Sequence, residues 1–364
     1  MHTGSLGLTP IRKWEFTLIQ TRGYAATAPD APLAPFEFAR RELGPRDVQI
    51  EITFAGICHS DIHQVRQEWG PSNYPMVPGH EIVGNVVAVG SQATTHKIGD
   101  AVGVGVFVNS CRECANCLSG EDQYCLKGTV GTYNGYEYDG TTPTYGGYSK
   151  VIVVDERYVL RVPSSLPVSG VAPLLCAGIT LYSPLRHWDA GPSKRVGIIG
   201  LGGLGHLGVK LAHALGAEVT VFSHSANKET DARTFGAQHF VLGDDEEQFA
   251  KLNNSFDLII STVSADLDLN RYLKLLSLDS TLAIIGLPGK PLKIQAFNLL
   301  DQRRSISGSM VGGIPETQEM LDFCAEHGIV SEVEVVSASE INMAYDRTVK
   351  SDVKYRFVIE ASTF

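Results

Sequence analysis

The sequence predicts an α/β protein: a compact, mostly-β unit joined to a doubly wound parallel sheet. Up to about residue 165 the chain carries short alternating apolar runs broken by Gly and Pro, a pattern of brief strands and turns. VQIEITFAG at 48–56, IVGNVVAVG at 82–90 and AVGVGVFV at 101–108 are examples. From Lys194 the character changes to strand, glycine-rich turn, helix and strand, in KRVGIIGLGGLGHLGVKLAHALGAEVTVFSHS. Apolar runs then alternate with helical segments, the signature of a parallel sheet covered by helices.

Within the first unit, the DAP and LAP segments near residues 30–35 read as loop, and TYGGYSKVIVVDERYVLRVP at 144–163 as strand and turn. APLLCAGITLYSPLRHW, within 165–190, is apolar at helical spacing and leads into the second unit. There FVLG at 240–243, FDLIISTV at 256–263, TLAIIGLPG at 281–289 and ISGSMVGG at 306–313 read as strands, with LNRYLKLLSL helical between them. PETQEMLDFCAEHG reads as a helix and VKYRFVIE at 353–360 as a strand. Cys324 on that helix is expected to be filler without a ligand role.

The chain has 364 residues, enough for two or three domains with buried cores, and its 43% hydrophobic and 19% charged content is that of a globular protein. A net charge of -10 argues against nucleic acid and anionic membranes as partners. No apolar run reaches the roughly 18 residues of a membrane span. The N-terminal MHTGSLGLTPIRKWEF lacks the apolar core of a secretory signal, so a cytoplasmic location is expected and no role is assigned to that stretch. Seven cysteines without such a signal point to a reducing compartment and metal or thiol chemistry.

Four of those cysteines fall in CRECANCLSGEDQYC, as Cys111, Cys114, Cys117 and Cys125. Spacing this tight lets one loop wrap four thiolates around a single ion and leave no position open, as in a structural zinc site. An iron–sulfur loop would place its fourth Cys three residues on, before Pro, or far away. Here Cys125 comes later and is followed by Leu126.

A second metal reading rests on GICHSDIHQVRQEWGPSNYPMVPGHEIVG, 56–84, which holds Cys58, Ser60, His63, His80 and Glu81. Taken singly, such a Cys or His is more often a packed core or surface residue. Together, a thiol, an imidazole and a carboxylate far apart in sequence suit an open zinc site that takes a further ligand, with Cys176 the candidate.

The glycine pattern falls on Gly200, Gly202 and Gly205, after the apolar run VGII and at the start of an amphipathic helix. In that context the glycines allow a tight turn and close approach of the backbone to a pyrophosphate. The following strand ends Val221-Phe222-Ser223-His224-Ser225, then Ala226, Asn227 and Lys228, with no carboxylate for a ribose 2′-hydroxyl. Hydroxyls and a cation suit a 2′-phosphate, so NADP(H) is expected rather than NAD(H).

GICHSDIH, PGHEIVGNVVAVG, the four-Cys lobe, TYGGYS, PLLCAGIT, GIIGLGGLGHLGVK and VKYRFVIE occur in this order over roughly residues 19–360. By these motifs the chain resembles the zinc-containing medium-chain alcohol dehydrogenases, in the cinnamyl alcohol dehydrogenase-like branch. GSMVGGIPETQEMLDFCAEHGIV looks particularly like the broad-range NADPH-dependent aldehyde reductases of bacteria. The resemblance implies a GroES-like catalytic domain over 1–170, a Rossmann domain over 171–312, and a return to the catalytic domain over 313–364. It implies two zinc ions per chain: Cys58, His80 and Cys176 holding the catalytic one, with Glu81 able to ligate it when substrate is absent, and the four-Cys lobe the structural one. Asp61 would orient a zinc-binding His, and Ser60 and His63 would form a proton relay. Contacts to NADP would come from Ser60, Thr180, Gly200, Leu201, Gly202, Gly203, Leu204, Gly205, Ser223, His224, Ser225, Asn227, Lys228, Thr262, Gly286, Ser309, Met310 and Val311. Trp69 resembles a substrate-pocket aromatic. The implied activity is hydride transfer between NADP(H) and primary alcohols or aldehydes (aromatic, cinnamyl or medium aliphatic), mainly aldehyde reduction, in a homodimer. An NAD-dependent polyol or secondary-alcohol dehydrogenase is the alternative, and a zinc-stabilised NADPH-binding module without catalysis a more distant one.

Overall fold

The computed structural model describes residues 18–364; the N-terminal stretch to which the sequence gives no role lies outside them. Its centre is two sheets. The first has seven strands, with Leu160–Arg161, Ala101–Val104, Ile82–Val89, Asp47–Ile57, Arg356–Glu360 and Val333–Val336 side by side in that order and Val151–Asp155 also paired to Asp47–Ile57. All its pairings are antiparallel except that of Val333–Val336 with Arg356–Glu360. The last strand of the chain therefore lies beside Asp47–Ile57, with Phe357 opposite Ile57.

The second sheet has six parallel strands in the order His239–Leu242, Glu218–Ser223, Arg195–Ile199, Phe256–Ser261, Leu276–Ile284, Ser305–Gly308. In chain order that is 3-2-1-4-5-6, the Rossmann order, whose reversal point lies beside the first strand. Its central strands are apolar on both faces because helices cover both: Val196, Ile198, Val219, Val221, Leu258, Ile259 and Ile260 are buried. Helix Ala177–His187 packs against helix Gly205–Ala214, with Leu181 so near Gly208 that a Cβ there would lie 2.8 Å from its Cδ1.

Several elements differ from the sequence reading. AVGVGVFV divides into strands Ala101–Val104 and Phe107–Asn109. The strand Ala34–Arg40 includes part of the LAP segment, with Pro35 opposite Tyr24 in a two-stranded ribbon. Proline is tolerated there because an edge leaves one row of N–H positions outside the ladder. LNRYLKLLSL is only half helical: the helix is Leu269–Leu273, and Leu276 already starts the next strand. A short apolar run fits a buried strand and a buried helix equally, and pairing against Phe256–Ser261 decides it. ISGSMVGG is strand only to Gly308.

The glycine turn after Arg195–Ile199 is sterically exact in its requirements. Gly200 has φ +92°, and a Cβ at Gly205 would sit 2.0 Å from the Gly200 carbonyl oxygen. Gly205→Ala is predicted to lower unfolding stability by about 1–3 kcal/mol, the usual range for overpacking, read by urea denaturation. Unchanged stability would mean the turn accommodates a methyl group.

Candidate active site

Cys58 sits where strand Asp47–Ile57 hands over to helix His59–Val65, with extended backbone angles (φ -109°, ψ 150°). His80 and Glu81 immediately precede strand Ile82–Val89, and Cys176 begins helix Ala177–His187. The four side chains offer one ligand atom each, all within 4.8 Å of one another. Cys58 Sγ lies 3.9 Å from Cys176 Sγ, and His80 Nε2 lies 3.2 Å from Cys176 Sγ. Ligands at zinc–sulfur and zinc–nitrogen bond lengths around a tetrahedral ion stand roughly 3.5–3.8 Å apart, so the set fits zinc. The Cys58 thiol is held well below its usual pKa by its contact with Cys176 and by His80, while Cys176 is pushed well up by Cys58 and by burial. Two thiols facing one point behave so, and a divalent cation at that point would hold both as thiolates.

Asp61 aims the imidazole. Its Oδ1 accepts from His80 Nδ1 (2.9 Å) and Gly79 N (3.1 Å), and its Oδ2 from Cys58 N (3.0 Å) and Tyr148 OH (3.1 Å). With Nδ1–H committed, His80 Nε2 keeps its lone pair for a metal.

Glu81 is fully buried. One carboxylate oxygen pairs with Arg356, which also donates to the Ile57 carbonyl (2.9 Å); the other, Oε2, is buried without a hydrogen-bond partner. Burial pushes the Glu81 carboxyl up to about 8, with Arg356 pulling the other way. Burial also works against the charge of Arg356, but Glu81, Cys58 and Cys176 outweigh it and raise its pKa. Arg356 is the residue the sequence reading missed; a lone arginine in the apolar strand RFVIE was its only signal.

Beside this group, Ser60 Oγ lies 3.6 Å from Cys58 Sγ. His63, one helical turn on, directs Nδ1 to Glu68, also missed by the sequence reading, and stacks on Trp69 with centroids 4.7 Å apart. Trp69 is 45% exposed, so it forms an outer wall rather than core.

The four-Cys lobe is assembled as its spacing implies, and its sulfurs also lie within 4.8 Å of one another. Cys111 Sγ is 3.8 Å and Cys114 Sγ 3.4 Å from Cys117 Sγ. Backbone amides of Cys111, Cys114 and Leu126 donate to these sulfurs, and such bonds favour thiolates. Hydrogen bonds from the backbone of Cys117 and Leu126 bring Cys114 down to about 6.

The glycine loop is shaped for a phosphate. Nothing lies within 4 Å of a Cβ built on Gly202, an open face beside the helix start. Leu201 is buried, and Leu204 caps the helix Gly205–Ala214. Lys228 Nζ donates to the Leu201 carbonyl (2.8 Å), so the end of strand Glu218–Ser223 and the glycine loop share one mouth. Half-burial lowers the Lys228 pKa, with Asp231 opposing. Ser223 Oγ accepts from Ser225 N (3.1 Å), while His224 and Asn227 are exposed. Thr262 Oγ1 donates to the Ile199 carbonyl (2.8 Å), Gly286 N to Ser261 (3.0 Å) and Ser309 N to Ile284 (3.2 Å). These three residues thus lie side by side at the C-terminal ends of their strands, where open α/β sheets bind ligands. Val311 is held at φ +44°, the Met310 amide donates to Tyr124 OH (3.2 Å), and Thr180 Oγ1 bonds back to the Cys176 carbonyl (2.6 Å).

A Cβ on Gly203 would lie 2.7 Å from Arg356 Cδ. Arg356 therefore touches the candidate metal-ligand group through Glu81 and the glycine loop through its stem.

Fold and site together describe a two-unit dehydrogenase with a metal group beside a dinucleotide loop. Residues 44–164 match the alcohol dehydrogenase GroES-like domain and residues 203–326 the zinc-binding dehydrogenase domain. The NADP-dependent alcohol dehydrogenase C 1 of Mycolicibacterium smegmatis is 60% identical over 93% of this chain and 97% of its own. The aldehyde reductase YahK of Escherichia coli is 52% identical over 95% of this chain and 99% of its own. Among solved structures, a cinnamyl alcohol dehydrogenase of Sorghum bicolor superposes with TM-score 0.91 at 43% identity, covering 94% of this chain and 98% of its own. The chain belongs to the zinc-binding alcohol dehydrogenase family and is an oxidoreductase.

Arg356→Met is predicted to leave Glu81 as an unpaired buried carboxyl and to lower stability by about 3–5 kcal/mol in urea denaturation. A variant as stable as the parent would mean the pair carries no structural weight.

Proposed function

We propose that the protein is a zinc-dependent oxidoreductase that transfers hydride between NADP(H) and primary alcohols or aldehydes, working mainly in aldehyde reduction. The observation that carries this reading is Arg356, which pairs with Glu81 of the Cys58–His80–Glu81–Cys176 group and lays its stem against Gly203 of the glycine loop. When bound, zinc polarises the substrate oxygen as a Lewis acid and the nicotinamide supplies the hydride.

Cys58, His80 and Cys176 hold the catalytic ion, and Asp61 keeps the imidazole turned toward it. Glu81, with one buried oxygen unpartnered, is a fourth donor, a carboxylate that Arg356 holds back. Cys111, Cys114, Cys117 and Cys125 hold the structural ion. Ser60 stands beside Cys58, where it can hand a proton to an alkoxide. His63 lies on the same helix face, and Glu68 engages its Nδ1, so Nε2 is the atom that exchanges a proton with solvent. Lys228 with Ser223 and Ser225 grips the 2′-phosphate, and Thr262, Gly286 and Ser309 line the cleft beyond the strand ends. Trp69, flat against His63, walls the substrate entrance.

We also propose the division 1–170, 171–312 and 313–364, a homodimer, and a cytoplasmic location. The edge strand Ser305–Gly308 and, on the short helix before it in the chain, Phe297 and Leu300, 74% and 73% exposed, suit burial against a second copy. Sedimentation should give a dimer, and a monomer at working concentration would remove that part. Among the described residues no single helix is long and apolar enough to cross a membrane.

Cys58→Ala should reduce zinc content from two per chain to one and abolish aldehyde turnover, while NADPH fluorescence still reports cofactor binding. Retention of both ions, or turnover without the second, would end the zinc reading. Lys228→Ala should narrow the NADPH-over-NADH preference in kcat/KM by about tenfold or more, the scale of one charge-assisted hydrogen bond. An unchanged ratio would remove Lys228 from the phosphate site.

A further inference from the structure

The carboxylate of Asp61 has the capacity to accept about four hydrogen bonds and receives four: two backbone amides, one imidazole and one phenol. The phenol is Tyr148, which is fully buried. Its ring passes so close to Gly79 that a Cβ there would lie 2.6 Å from Tyr148 Cδ1, and Gly79 has φ +105°. The absent side chain at Gly79 is therefore what lets a tyrosine reach the residue that orients His80.

Tyr148 does not stand alone. Tyr345, 4% exposed on helix Ile341–Val349, directs its hydroxyl at Tyr148 OH (3.4 Å), and the two rings meet edge to face at 6.4 Å. The donors run in one direction, Tyr345 to Tyr148 to Asp61, while His80 donates to the same carboxylate from the other side. A hydroxyl that itself accepts a hydrogen bond becomes a stronger donor, so the terminal tyrosine strengthens the bond its neighbour makes. Burial raises both phenols well above their usual range, which keeps them as donors throughout the working pH range. Helix Ile341–Val349 lies near the end of the chain, and Tyr345 is 197 residues from Tyr148 in sequence.

We propose that Tyr345 is a positioning residue for the catalytic zinc, acting through the Tyr148 hydroxyl on Asp61 and so on the aim of His80 Nε2. The inference rests on the reading that Cys58, His80 and Cys176 hold that ion. It makes the C-terminal helix part of the metal site without supplying a ligand.

The test is the rate at which each zinc passes from the intact enzyme to the chromogenic chelator 4-(2-pyridylazo)resorcinol. Tyr148→Phe should speed release of one ion per chain by about tenfold, the lower end of what partners of metal ligands contribute. Tyr345→Phe should speed the same phase by a smaller factor. The ion of the four-Cys lobe should leave at the parental rate in both, which separates the effect from general loosening. The double variant should match Tyr148→Phe alone, because the hydrogen bond by which the outer hydroxyl reaches Asp61 runs through Tyr148. Cobalt substitution supplies a second readout, since the visible ligand-field band of the inner site should shift in both single variants.

A parental release rate in Tyr345→Phe, equal acceleration of both ions, or additive effects in the double variant would overturn the proposal. Two ions retained in Cys58→Ala would instead overturn the reading beneath it.

Discussion

A guanidinium with 6% exposure holds the site together. Arg356 comes from the last strand of the chain, pairs with Glu81, donates to the Ile57 carbonyl one residue before Cys58, and lays its stem on Gly203. Burying two charges costs several kcal/mol per ion, which their attraction offsets only when further hydrogen bonds complete the geometry. Here the guanidinium has its second acceptor, while Glu81 keeps one oxygen without a partner. The pair is thus incomplete in a residue whose carboxylate is grouped with the two thiols and the imidazole, and a cation there would offset the buried negative charge.

Two other buried arginines are well satisfied: Arg40 reaches three carbonyls and Ser149, and Arg304 reaches Leu276, Asn298 and Asn254. The Asp61 carboxylate is saturated. Among the described residues six buried side-chain atoms lack a partner, and the Glu81 oxygen is the one that belongs to a carboxylate; such groups concentrate where function requires them.

How much of this the sequence carried depends on how local each feature is. The four-Cys lobe closes within one loop, so its spacing alone reveals it. The glycine turn is legible for the same reason: Gly200 and Gly205 touch each other, and only glycine tolerates that contact. Cys58, His80, Glu81 and Cys176 are legible as residue types, and family motifs group them, but nothing in their spacing says that they converge. Arg356 and Glu81 are 275 residues apart and Tyr148 and Tyr345 are 197 apart, so no window of sequence contains either pair. The strand beginning at Leu276 was hidden for another reason: a short apolar run carries no periodicity that separates strand from helix, and only its neighbour in the sheet decides.

We propose above all that a metal ion sits between Cys58, His80 and Cys176, within reach of a dinucleotide held by the glycine loop. Anomalous scattering at the zinc edge, from crystals grown with zinc and NADP, tests it directly. Two peaks per chain are expected, one among the four lobe cysteines and one bonded to Cys58, His80 and Cys176, with the nicotinamide facing the second. A lone peak in the lobe, or a cofactor whose nicotinamide points away from His80, would contradict it.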